Sequence, residues 1–96
     1  MTHDDILYGR LRLWQPEAGP RVNMDTVLLA SWVRRPPRGR SSFVELGAAT
    51  GAVSLMLALR FPDEFRIVGV ELQPALAAVA ERNGRENGLE TRVSFR

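Results

Sequence analysis

The sequence predicts an α/β fold in which an N-terminal hairpin and helix precede a β-α-β-α-β run with a parallel sheet. Three observations predict it. After residue 41, short apolar stretches of strand length alternate with longer helical ones, an order that leads to parallel strands joined by right-handed crossovers. The first of these strands, Phe43-Val44-Glu45-Leu46, runs straight into a loop of small residues, Gly47-Ala48-Ala49-Thr50-Gly51, and then into a helix. The second strand ends in an acid, Glu71, twenty residues after Gly51, where a β-α-β unit meets the ribose of a nucleotide.

Taken in order, Leu11-Arg12-Leu13 within Ile6 to Trp14 alternates as a half-buried strand or hairpin arm does, and Gln15-Pro16-Glu17-Ala18-Gly19-Pro20 is turn chemistry. Asp25 is expected to cap a helix from Thr26 to about Val33. That helix carries Val27, Leu28, Leu29, Ala30, Trp32 and Val33, and the one after the small-residue turn, Ala52 to Arg60, has only Ser54 as an interior polar position. Helices apolar on all sides have to be covered on more than one face. Complete cover is expected to need more protein than these residues supply. Pro62 and Asp63 break the helix before the strand Phe65 to Glu71. Pro74 then opens a helix with Leu76, Val79 and Ala80 inward and Gly88 as its stop, and Thr91 to Arg96 begins a third strand.

With 96 residues, 45% of them hydrophobic and 25% charged, the chain reads as globular, yet it is short for a sheet covered on both faces. One incomplete domain over 1–96 is expected, divided into the hairpin, helix and basic linker of 1–40 and the ligand-binding half of 41–96. There is no cysteine, and all 13 basic residues are arginine. Disulfides, thiolate chemistry, a Walker-type phosphate loop and Schiff bases are therefore excluded. The single histidine, His3, sits near a terminus expected to fray, which argues against a Ser-His-Asp triad or a histidine metal cluster. No apolar run approaches a membrane span and Met1 to Asp5 lacks the basic start of a signal peptide, so the default location is cytoplasmic.

The turn carries the chemistry. Gly47 and Gly51 admit backbone angles and close approaches that side chains forbid, and the helix start behind them attracts polar or anionic groups. The turn either packs helix on strand or admits a nucleotide-like ligand. The dinucleotide fingerprint puts glycine first, third and sixth, where this chain has Gly47, Ala49 and Ala52. Its own pattern is acid-x-Gly-x-Ala-x-Gly. Glu71 can face water or accept hydrogen bonds from both ribose hydroxyls, and its place favours the second. Arg34, Arg35, Arg38 and Arg40 lie either in a solvated linker or in a phosphate-contacting patch.

The alternate small residues resemble the first motif of Rossmann-like S-adenosylmethionine-dependent methyltransferases, with Glu45 for the usual Asp and Ala49 for the middle Gly. Gly9 to Pro16, Gly19 to Ala30, Glu45 to Leu55, Val70-Glu71 and Glu81 to Leu89 together resemble the opening of the tRNA adenine-N6 methyltransferases of the small methyltransferase group. The resemblance implies a partial Rossmann-like methyltransferase fold and S-adenosyl-L-methionine as cofactor. Glu45, Gly47, Ala49 and Gly51 would surround its methionine end and Glu71 its ribose, with Arg21, Asp25 and Thr26 beside the methionine portion or at the base entrance. It also implies tRNA as the partner; where the arginines of 34–40 form a phosphate-contacting patch, tRNA or another nucleic acid is what they would meet. That family's catalytic Asn-Pro-Pro-aromatic motif has no counterpart here, and no catalytic residue is assigned. The expectation is a cofactor-binding part that needs a missing C-terminal portion or self-association. A non-catalytic interaction module and the nucleotide half of an NAD-dependent oxidoreductase are the alternatives.

Overall fold

The computed structural model describes residues 1–35 and 42–96. Strands β1 (Thr2–Ile6) and β2 (Leu11–Gln15) form an antiparallel hairpin in which His3 faces Trp14 and Ile6 faces Leu11. His3 is thus held in a strand, contrary to the expected fraying. Its ring stacks on Trp14 at 4.1 Å. The other side of that indole carries the Arg82 guanidinium at 4.0 Å, and its N–H donates to Glu86. The pairing with β2 therefore orders Thr-His-Asp-Asp-Ile, a segment without strand-like alternation.

The hairpin turn holds Leu7 and Tyr8 in the left-handed region, at φ 53° and 56°. Tyr8 is fully in solvent, at 108% relative exposure. Left-handed backbone costs a side-chain-bearing residue about 1–2 kcal/mol, and no burial offsets it here. Tyr8→Gly is therefore expected to raise the melting temperature by about 2–8 °C, read by thermal denaturation; a fall would show that the side chain has a stabilising contact.

Helix α1 (Met24–Trp32) is capped by Asn23, two residues before the expected Asp25. Asn23 has extended backbone, its side chain accepts from the Thr26 N–H, and the Thr26 hydroxyl accepts from the Asn23 N–H. This reciprocal pair is worth more than a lone carboxylate, and Asp25 instead complements the positive end of the helix from its first turn.

The remaining strands form a second sheet. β3 (Ser42–Leu46), β4 (Arg66–Val70) and β5 (Val93–Phe95) lie side by side in that order, all parallel, linked by α2 (Ala52–Arg60) and α3 (Pro74–Glu86). Phe43, Ile67, Gly69, Val93 and Phe95 face the helices, and Leu55, Met56, Leu57, Ala58 and Ala80 meet them in the core. Leu11 and Leu13 bring the hairpin onto the same core. Two glycines make room for the Phe95 ring: a Cβ at Gly69 would lie 2.5 Å from it and one at Gly51 2.6 Å.

Cover is uneven. α2 is buried by this chain alone, against the expectation of an outside partner for it, because α1, the hairpin and the sheet surround it. α1 is not: Met24, Leu28, Leu29 and Trp32 stay exposed. The second sheet face is bare too, with Val44 65% and Leu46 80% exposed beside Val70. β3 has β4 on one edge and no strand on the other among the described residues.

Candidate ligand cleft

The carboxyl end of β3 opens into a cleft of about 350 Å³, in the size range of small-molecule sites. One wall is the segment Pro20 to Thr26 with Leu29; the floor is Glu45 and Gly47 to Thr50; the far end is Ala52 and Val53 at the start of α2. The wall hangs on Gln15, whose side chain is buried, accepting from the Val22 N–H (2.7 Å) and donating to Asp4 (3.0 Å). In a parallel sheet this is the crevice where ligands settle.

The turn is set by backbone and by an acid. The N–H groups of Gly47 and Ala48 both donate to the Val70 carbonyl, tying the turn to the tip of β4. Gly47 (φ 73°) has open space where a Cβ would stand. Ala49 takes φ 51°, a left-handed angle that a glycine would hold without strain. Its N–H donates to Glu71 Oε1 at 2.8 Å, while Glu71 Oε2 accepts from the Gln73 N–H at 2.9 Å. These bonds, Gln73 before Ala49, hold the Glu71 carboxyl below its ordinary pKa.

Glu45 serves α2. Gly51, at the helix start, has no side chain to cap with, and Glu45 Oε1 accepts instead from the Ser54 N–H (3.2 Å) and hydroxyl (2.6 Å). Burial pushes its carboxyl up, with the Ser54 bonds opposing. A carboxyl raised in the folded state stabilises fully below its unfolded value near 4.5 and loses that contribution as pH rises through the folded value. Glu45→Gln keeps an acceptor for Ser54 without the charge. It is expected to melt no lower than the parent at pH 7, with its advantage shrinking by pH 4; a variant that melts lower at pH 7 would show that the charge on the α2 dipole outweighs its burial.

Of the residues singled out from sequence, the structure brings Glu45, Gly47, Ala49, Arg21, Asp25 and Thr26 to one cleft and places Glu71 on the outer rim of its turn. The Arg21 guanidinium is turned to Thr2, Asp4 and the Pro16 carbonyl, so it braces the wall. The Thr26 hydroxyl is used in the helix cap. Gly51 does not line the cleft; its open side is filled by Phe95 and Ala80. Arg34 and Arg35 are exposed, with Arg35 4.0 Å from Glu64, whereas Arg38 and Arg40 lie outside the described residues. Sequence reading gave no role to Asn83, which is fully buried against the turn and the hairpin; its spacing of four from Asn87 was the available signal.

Chemically, the cleft suits a zwitterion. Glu45 and Asp25 offer negative charge to an ammonium group, and the start of α2 at Ala52 and Val53 suits a carboxylate. Glu71 stands beyond the turn, able to accept from neighbouring hydroxyls.

No protein-family profile matches the chain. A tRNA1(Val) (adenine(37)-N6)-methyltransferase of Porphyromonas gingivalis is 33% identical over 97% of this chain, which spans only 37% of that relative's length. Among solved structures, an RNA methyltransferase from Salinibacter ruber in complex with S-adenosyl-L-homocysteine is 32% identical over 58% of this chain and 35% of its own, with a TM-score of 0.53. The [4+2]-cyclase SpnF is 30% identical over 74% of this chain and 25% of its own, at a TM-score of 0.60. The architecture thus occurs in a cyclase as well, and fold alone does not fix the reaction. Over its length the chain resembles part of the tRNA1(Val) adenine-N6 methyltransferases, on a partial Rossmann-like methyltransferase fold.

Proposed function

We propose that the chain is the S-adenosylmethionine-binding part of a methyltransferase acting on adenine N6 of tRNA. The observation that carries this reading is the bond from the Ala49 N–H to Glu71, which sets a strand-end acid at the mouth of the small-residue turn, beside a cleft that contains Glu45. Two carboxylates on either side of a tight turn match a ligand with an ammonium at one end and a sugar diol at the other. Leu72, next to Glu71 and 94% exposed, offers an apolar surface to a purine face.

When bound, the cofactor supplies a methyl group on a sulfonium centre. This chain's residues bind and orient it: Glu45 and Asp25 take the ammonium, the α2 start takes the carboxylate, and Glu71 takes the ribose. Alignment of the acceptor nitrogen depends on groups that hold the base, and residues 1–96 contain no Asn-Pro-Pro-aromatic motif to do so. The exposed Arg34 and Arg35 suit phosphate contacts with tRNA, a substrate that implies a cytoplasmic setting. Further protein, from a longer parent or a second copy, covers Val44, Leu46 and Val70. Sedimentation of the chain alone checks that last point, and a stable monomer at high concentration would oppose self-association.

Calorimetric titration with S-adenosylmethionine, S-adenosylhomocysteine and NAD tests the cofactor reading. Saturable binding of the first two and none of NAD is the expected result, and preference for NAD would reverse it. Incubation of the 96-residue chain with cofactor and tRNA is expected to give no methyl transfer; robust turnover would show that the base is held here after all.

A further inference from the structure

We propose that Asn83 is a positioning residue that fixes the ligand turn against the opposite wall of the cleft. Its side chain is 0% exposed and makes three bonds. Oδ1 accepts from the Trp14 N–H at 2.7 Å, and Nδ2 donates to the Trp14 carbonyl at 3.1 Å and to the Thr50 carbonyl at 2.9 Å. One turn on, Asn87 Oδ1 accepts from the Arg12 N–H at 2.9 Å, and its Nδ2 donates to the Arg12 carbonyl (2.8 Å) and the Asn83 carbonyl (2.7 Å). Four helical residues advance about 6 Å and two strand residues about 6.8 Å, so side chains four apart on α3 meet alternate residues of β2. The two amides give the second edge of β2 the bonds that a neighbouring strand would give.

Asn83 differs from Asn87 in its third bond. The Thr50 carbonyl belongs to the turn, one residue from the Ala49 N–H held by Glu71, and Thr50 is buried. The turn is thus gripped from two sides. Through β2 the same amide reaches Gln15, which carries the Pro20 to Thr26 wall by its bond to Val22. Floor and wall of the cleft are therefore set relative to each other by one buried side chain. The proposal rests on the reading of the cleft as the cofactor site only for the ligand used as a probe.

Asn83→Asp keeps size and the acceptor for Trp14 while removing both donors. Asn87→Asp is the matched control, losing the same contact on β2 but none on the turn. Both variants are expected to melt lower than the parent. Only Asn83→Asp is expected to weaken S-adenosylhomocysteine binding, by about tenfold or more, and to speed hydrogen exchange at the Ala49 and Gly51 amides in the ligand-free protein. Should Asn83→Asp not fold, Asn83→Ser, which retains one short donor, gives the same two readouts. Unchanged affinity and turn exchange in the Asn83 variants, or an equal affinity loss in Asn87→Asp, would overturn the proposal. If the parent binds no adenosyl compound, the cofactor reading fails, while the exchange rates still decide the role of Asn83.

Discussion

Gly51→Ala lowers the melting temperature by on the order of 15 °C or leaves the chain unfolded. Two costs add there. The residue sits at φ 88°, where a side chain costs about 1–2 kcal/mol. The new Cβ would also lie 2.6 Å from the Phe95 ring and 3.2 Å from Ala80. Phe95 is buried, and such overpacking costs about 1–3 kcal/mol. Gly69→Ala meets the same ring at 2.5 Å with no positive φ to add. A Phe95→Leu background shows what remains of each cost. Trimming the ring is expected to relieve both in part: Gly51→Ala retains its backbone strain, and Gly69→Ala retains a contact with the Ala48 Cβ at 2.9 Å. Thermal melts of the two double-mutant cycles check this, and complete rescue of Gly51→Ala would show that φ at residue 51 matters little.

Glu71→Gln weakens adenosyl-ligand binding by about 100-fold, despite its near-identical shape. Each oxygen of Glu71 accepts from a backbone N–H, one from Ala49 and one from Gln73. An amide has a single acceptor oxygen, so one N–H would face an NH2 group. The change removes the brace of the turn and, in the proposed role of Glu71, the charge that would strengthen hydrogen bonds from ribose hydroxyls. Calorimetry reads the affinity; a variant binding like the parent would remove Glu71 from the site. The acid limb of the stability profile changes as well. Because Glu71 is depressed in the folded protein, its contribution is present above its ordinary value of 4.5 and lost as pH falls through the lower folded value. The parent is therefore expected to lose stability in that window more steeply than Glu71→Gln.

The α/β order and α2 were legible because each apolar run from residue 42 onward is bounded by Gly or Pro, and the observed bounds of α2 match those read from the sequence. β1 was not legible: its order comes from β2 and from stacking on Trp14, both tertiary effects. At α1, Asn23 and Asp25 are equally good caps by type, and only Thr26, three residues after Asn23, could have told them apart. Gly51 belongs to the motif by spacing, yet the ring that needs its missing side chain lies 44 residues away at Phe95. Asn83 lay within a resembling segment but received no role, because an amide in a helix usually faces water and its partners on β2 are invisible to local periodicity.

The amide clasp on β2 joins residues 69 and 75 positions apart. At roughly 5–20 residues made per second, the hairpin leaves the ribosome several seconds before α3 exists to receive it. The β3-α2-β4 unit closes on short loops and can assemble in the meantime. The wall of the cleft hangs on β2, so it reaches its place only after the helix carrying Asn83 and Asn87 has been synthesised. The floor of the cleft can thus form before its wall has anything to hang from.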